Sequence, residues 1–386
     1  MSPRSLPAAL IACILLLAPA RASTALLLVA SSDIAFEFVQ DRQILFPMWV
    51  NGHPAEAWLD TGASATVLDA AFARSIGLQL GEPVRAQGVA GRVSGVRLAV
   101  AGLQVGALSM PGRRVGVMDL SAVSRVVQRP VEVILGRDVF DNAVVDIDFQ
   151  ARRIALFPRQ TFRPPADLAP LPLTHSGGLR TFPIILGGSA VAAVLDLGNG
   201  GAILADGDVA AAEALLAGRP VSTVQTVGAD GPRLGTIATV DAVRVGGVRF
   251  DGVPITLTRG LSSQDPTNVG LAILSRFHMT IDFAGDRLWL RPYPGAAEAP
   301  FRKNRAGLSM TPAGDRLRIT HVAVGSPAQA GGWQVGEAVI AIDGHPIDAG
   351  FSASELSRWH FGPAGQVVEL MMADGTRRRL TLADYY

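Results

Sequence analysis

Cysteine occurs once in this 386-residue chain, at Cys13, and lysine once, at Lys303. A lone cysteine excludes an internal disulfide and leaves no thiol framework for a metal. Charged residues are only 17% and the formal net charge is +1, so the chain lacks the basic footprint of a nucleic-acid binder or of a protein drawn to an anionic membrane. The six histidines fall in no ligand spacing of the His-Glu-x-x-His kind, and no metal or cofactor is expected. Also missing are a Gly-x-Ser-x-Gly nucleophile elbow, a phosphate-binding Gly-Lys-Ser/Thr and a Gly-x-Gly-x-x-Gly turn after a strand. Arginine supplies nearly all the positive charge, which reflects base composition and carries no function.

What is present is apolar and turn-rich. Hydrophobic residues make up 49%, with 42 glycines and 25 prolines, a composition for globular folding and not for disorder. The length predicts two or three domains. Arg4, an apolar run from Leu6 to Ala18 and Ala20-Arg21-Ala22 read as a secretory signal over residues 1–22, with the mature chain starting near Ser23. A retained anchor and a lipoprotein box at Leu10-Ile11-Ala12-Cys13 are the alternatives. Arg21 interrupts the run before the roughly 20 residues a span needs, and no later stretch reaches that length. Export without disulfides predicts a bacterial periplasmic or secreted protein.

The chain is organised around Trp58-Leu59-Asp60-Thr61-Gly62-Ala63-Ser64. A strand-like stretch ends in a carboxylate on a glycine-permitted turn, with the Thr61 and Ser64 hydroxyls beside it. A surface turn uses the same residues, so the frame decides. The stretch resembles the active-site loop of the retropepsin and pepsin superfamily of aspartic peptidases. That family also has an apolar-apolar-Gly strand behind the loop, and Ile134-Leu135-Gly136 matches it. The resemblance implies a mainly β fold, Asp60 as a catalytic carboxyl and a polypeptide substrate.

The segment then recurs. Phe46-Pro47 answers to Phe182-Pro183, Gly52 to Gly188 and Leu59-Asp60 to Leu195-Asp196 at an offset of 136; Leu135-Gly136 answers to Val269-Gly270, and Asp148-Phe149 to Asp282-Phe283, at 134. Each copy reads as strands, an Asp loop, a helical stretch (Asp69 to Ile76; Ala205 to Leu216), glycine hairpins and a closing strand pair. Two tandem retropepsin-like lobes in a pseudo-twofold, bilobal layout follow, at 34–158 and 170–293, joined by a linker holding Pro164-Pro165. A structural duplication without chemistry is the competing reading. The resemblance makes Asp60 and Asp196 a dyad within one chain, with Thr61, Gly62, Ser64, Gly198 and Asn199 as loop support.

Two positions depart from the family. Leu197 stands where a Thr or Ser clasps the partner loop, and Asn268 stands where the glycine strand is apolar. Asn199 is expected to bond a carboxylate oxygen in compensation. A flap over the cleft is placed at Gln87 to Gly95, where a plain hairpin fits equally well. Asp146, Asp148 and Asp282 read as turn-forming or solvated.

After Pro294-Gly295 the repeat stops. Gly325-Ser326-Pro327-Ala328-Gln329-Ala330-Gly331 and Val335-Gly336-Glu337 through Asp343-Gly344 resemble a bacterial PDZ domain, a small α+β module, over 304–386. The resemblance implies binding of a peptide C-terminus or an extended strand, with Gly307, Leu308, Ser309 and Met310 as the carboxylate loop. A purely structural module is the alternative. The readings of the whole chain are an exported aspartic endopeptidase, a catalytically degenerate peptide-binding protein, or an enzyme using Asp60 alone in a homodimer.

Overall fold

The computed structural model describes residues 32–386 except 85, 89–90, 94, 128, 177, 207–213, 229–230, 259–266, 349 and 352–353. The expected signal lies outside the described residues. The fold is mainly β. Gln43–Val50 shows why: Phe46, Met48 and Val50 are buried and Pro47 and Trp49 exposed, the period-2 alternation of a strand with one face on the core.

Eight strands between Glu37 and Leu135 form one sheet, in which Gln43–Val50 also pairs with Arg97–Val105 through Trp49 and Gln104, curling it into a barrel. A ten-stranded sheet is built from residues between Thr174 and Val269. Segments 136 residues apart pair in the same register. Phe46 pairs with Ala57 and Pro47 with Glu56; Phe182 pairs with Ala193 and Pro183 with Ala192, each shifted by the same offset.

A six-stranded sheet joins the two. Ser32–Ala35, Arg153–Phe157 and Val144–Asp148 supply three strands, and Phe277–Asp282, Arg287–Pro292 and Leu171–Pro172 the other three. The seam runs between Val144–Asp148 and Phe277–Asp282, paired antiparallel from Val145–Ile281 to Ile147–Met279. Across it, Asp146 accepts from His278 Nε2 and from Thr280 Oγ1, both at 2.6 Å, so it is a cross-seam acceptor and not a turn residue. Asp148 and Asp282 do serve turns, holding the N–H groups of Gln150 and Ala151 and of Gly285. One apolar core spans the seam, with the Phe140 and Phe283 rings 5.1 Å apart. Burying such side chains contributes about 1.5–3 kcal/mol each.

The helix expected at Asp69 to Ile76 is Ala70–Ser75, with Asp69 capping the N–H groups of Ala71 and Phe72. In the second copy, Ala205 belongs instead to the strand Ile203–Asp206, and part of the expected helix lies outside the described residues.

Residues 306–382 close around their own core, which includes Trp333, Phe351 and Trp359. Five strands run in the order Leu308–Pro312, Leu317–Val322, Ala338–Ile342, Val367–Met372, Arg377–Thr381, with His345–Pro346 on the third. The connector over 294–303 is fastened at both sheets: the Phe301 ring packs 6.1 Å from Phe250 of the second sheet, and Arg276, just before Phe277–Asp282, stacks 3.8 Å over Phe301 and donates to the carbonyls of Ala296 and Ala299. The hairpin Val221–Gly228 with Gly231–Val240 also leans on this unit. Ser222 donates to Val324 O at 2.5 Å, Thr223 contacts His321 at 2.9 Å, and Thr320 donates to Gln225 at 2.7 Å. No helix among the described residues is long and apolar enough to cross a membrane.

Candidate active site

Each Asp loop is set by the same three bonds. Asp60 N–H donates to Leu135 O at 3.0 Å, and Gly62 and Ala63 N–H donate to Asp60 Oδ1 at 2.8 and 3.1 Å. Asp196 N–H donates to Val269 O at 3.1 Å, and Gly198 and Asn199 N–H donate to Asp196 Oδ1 at 2.8 and 3.1 Å. The strands behind them match as well. Val133–Leu135 lies parallel to His53–Leu59, and Thr267–Val269 parallel to Ser189–Leu195, with Leu135 on Leu59 and Val269 on Leu195. Gly136 and Gly270 end these strands where a side chain has no room: a Cβ on Gly136 would stand 2.6 Å from the Ala65 carbonyl carbon.

The loops meet face to face. A Cβ on Gly62 would lie 2.8 Å from Asp196 Cγ, and one on Gly198 would overlap the Asp60 carboxyl. Each carboxyl therefore sits over the other loop's glycine, which glycine alone permits. Thr61, 2% exposed, ties the loops by donating to Leu195 O at 2.6 Å and accepting from Leu197 N–H at 2.9 Å. The reciprocal half is missing, since Leu197 is fully buried in the apolar core.

Burial, then the neighbouring Asp196 charge, pushes the Asp60 carboxyl well above the usual carboxylate range against the pull of the Gly62 and Ala63 amides. Burial also raises Asp196, but the Asn268 amide, the Gly198 N–H, the Asp60 carboxyl and the Asn199 N–H hold it down. The pair shares its protons and titrates as a unit. A cavity of about 930 Å³ opens over it, lined among others by Trp58, Ile134, Val224, Thr226 and Asn268.

The other expected residues are placed as follows. Ser64 is half-buried on the first loop. Asn199 reaches Asp196 through its backbone N–H and not, as expected, through its side chain, whose Nδ2 donates to Asn268 Oδ1 at 2.8 Å. Asn268, in sequence only a departure, is a further residue of the candidate site: its Nδ2 donates to Asp196 Oδ2. The signal was its place one residue before Val269-Gly270, on the strand beside the loop.

At the expected flap, Ala86–Gly88 pairs with Gly91–Val93 as a two-stranded ribbon, and the turn at 89–90 lies outside the described residues. Leu308, Ser309 and Met310 line the same cavity as the two carboxyls. Leu308 is 3% exposed and belongs to the C-terminal core. Gly307 has φ +78° and a Cβ there would overlap Ser326, while its N–H and that of Ala306 are taken by Asn304 Oδ1 at 3.0 and 3.1 Å.

Residues 46–139 match a family model described as Aspartyl protease. The matched segment holds the Asp60 loop and the Gly136 strand, and it supports a protease-like, hydrolytic function. It covers less than half of the chain and stops short of Asp196. No curated protein matches the sequence.

Proposed function

We propose that the chain is an exported aspartic endopeptidase in which Asp60 and Asp196 form the dyad. The observation that carries this reading is the interlocking of the two loops, each carboxyl resting on the other's glycine with Thr61 bonded across. Two buried carboxyls so close cannot both ionise. The charged one takes a proton from a water molecule as its oxygen bonds the peptide carbon; the protonated one donates to the carbonyl oxygen. Collapse of the resulting diol breaks the C–N bond, with a proton passing to the leaving nitrogen.

The two repeat units, 34–158 and 170–293, act as the lobes of a pseudo-twofold peptidase, and the signal directs the chain to the periplasm or beyond. Residues 304–386 act as a PDZ domain, taking a peptide C-terminus or extended strand beside Leu308–Pro312. That strand ends its sheet with Leu317–Val322 as neighbour on one side, and an edge strand is a template for another chain. Met310, half-buried and lining the cavity, is the residue to change there, because a charge at Leu308 would strike the core.

The missing hydroxyl at Leu197 favours a second reading, a peptide-binding protein that keeps the cleft without hydrolysis. The Asp60 homodimer is the weaker alternative, since Asp196 of the same chain already stands where a second Asp60 would go. The test is hydrolysis of an unfolded protein by the chain from Ser23, at acid to neutral pH, beside Asp60→Asn and Asp196→Asn. Loss in both variants is expected. Loss in Asp60→Asn alone favours the homodimer, and an inactive wild type that still binds peptide favours the receptor.

A further inference from the structure

The two carboxyls differ in what surrounds them. In the first glycine strand, Val133-Ile134-Leu135-Gly136, the residue paired with Trp58, two before Asp60, is Ile134; in Thr267-Asn268-Val269-Gly270 the residue at the same place, paired with Val194, two before Asp196, is Asn268. Both line the cavity. Ile134 offers its carboxyl no hydrogen bond, and Asn268 offers one.

The direction of that bond is determined by a chain of donors. Gly201 N–H, which can only donate, bonds Asn199 Oδ1 at 2.8 Å. Asn199 Nδ2 is then left to donate to Asn268 Oδ1, at 2.8 Å. Asn268 must in turn present its NH₂ to Asp196 Oδ2. Asp196 is thus met by donors on both oxygens, two backbone N–H groups on Oδ1 and an amide on Oδ2. A proton on either oxygen would face a donor. Asp60 receives its two N–H groups on Oδ1, and its Oδ2 meets no amide among the described residues.

Resting on the peptidase reading, we infer that Asn268, braced by Asn199, is a positioning residue that keeps the charge on Asp196 and the shared proton on Asp60. Asp196 is then the base that takes the proton of water, and Asp60 the acid that protonates the substrate carbonyl. After attack the charges are exchanged; Asp196 passes its proton to the leaving nitrogen, Asp60 recovers one from the diol, and the starting state returns. The raised position of Asp60 and the restraining effect of the Asn268 amide on Asp196 agree with this order.

Other charges share the cavity. Arg42, Arg125, Arg152, Arg276, Arg302 and Arg358 line it together with Asp41 and His360, and Arg302 and Arg358 both lie near Asp41. None of them bonds either carboxyl, and the strongest charge acting on Asp60 is Asp196 itself.

The test has two arms. Carboxyl ¹³C NMR of the full chain labelled at aspartate Cγ, with resonances assigned by Asp60→Asn and Asp196→Asn, reads where the proton is. On lowering the pH, Asp60 is expected to show the acid shift first and Asp196 to stay a carboxylate; the reverse order overturns the inference. Asn268→Leu is expected to move the Asp196 titration up by about one pH unit, the worth of one hydrogen bond to a charged group, and Ile134→Asn to move that of Asp60 down.

In the rate arm, the acidic limb of kcat/KM in Asn268→Leu moves up by the same amount, and the loss at low pH falls on kcat and not on KM. An unmoved limb with a merely lower rate shows Asn268 to be structural and sinks the proposal. Should the NMR order hold while every chain is inactive, the peptidase reading fails and the proton assignment stands.

Discussion

The loops at Asp60 and Asp196 share a backbone but not a chemistry. Each uses the same pair of N–H groups on Oδ1, the same bond to a glycine strand and the same close glycine contact. They differ at two side chains. The first loop has a hydroxyl in Thr61 and an apolar neighbour in Ile134; the second has an apolar Leu197 and an amide in Asn268. Polarity lost at one place in the second loop has been gained at another. Two loops of one backbone geometry can thus differ in charge, because backbone bonds hold the geometry and side chains set the surroundings of each carboxyl.

The largest effect expected from breaking this comparison is at the glycines. Gly198→Ala drives a methyl group into the Asp60 carboxyl, and Gly62→Ala does the same to Asp196 with slightly more room. A displacement of about 1 Å costs on the order of 100-fold in rate, so both variants should lose at least that in kcat, Gly198→Ala more. Equal activity to wild type would show that the loops do not meet as described.

Next comes the clasp. Thr61→Val leaves a buried Leu197 N–H and Leu195 carbonyl without their partner, at roughly 1–3 kcal/mol for each unsatisfied group. Urea unfolding should show a loss of about 2–6 kcal/mol on that basis. A change below about 0.5 kcal/mol, the size of an ordinary surface substitution, would mean the loops are held elsewhere.

The two buried carboxyls also set a pH trend in stability. A carboxyl whose folded value is raised stabilises most below the ordinary aspartate range, and that contribution is lost as pH rises through the raised value. Asp60→Asn removes the titration. Its Tm relative to wild type should therefore be higher at pH 7 than at pH 3.5; a flat difference would place Asp60 in water and not in a closed pair.

Smaller effects are expected at the seam and at Leu197. His278 is raised by its bond to Asp146, so its contribution is present below the ordinary histidine range and fades as pH climbs past the raised value. Both side chains are partly exposed, so the effect stays under about 1 kcal/mol; His278→Gln should flatten the fall in Tm between pH 6 and 9. Leu197→Thr adds a hydroxyl facing the first loop but removes apolar volume from a fully buried position. The two terms nearly offset, and a stability within about 1 kcal/mol of wild type is expected.

The parts of this site that were legible in sequence are those written in glycine, aspartate and spacing. Asp60-Thr61-Gly62, Ile134-Leu135-Gly136 and the offset of 136 each encode a backbone requirement, and backbone requirements restrict residue type sharply. Side-chain direction is not written that way. Asn268 looked like a polar fault in an apolar strand because its sequence gives its chemistry and not its partner. Asn199 meets the expected carboxyl through its backbone N–H and not its side chain, and Leu308, expected in a carboxylate loop, lines the cavity while also packing the C-terminal core. The mooring of Ser222 and Thr223 on residues 321–324 joins positions about a hundred apart with no pattern in common.

The six-stranded sheet has a consequence for how the chain comes to its final state. Its central pairing brings Val145 to Ile281, so the sheet completes only after most of the chain has left the ribosome and a long loop has closed. Until then Val144–Asp148 waits as an unpaired apolar edge. A fragment ending near Phe157 would carry that edge permanently, and its nearest complement in a crowded cell is another copy of itself.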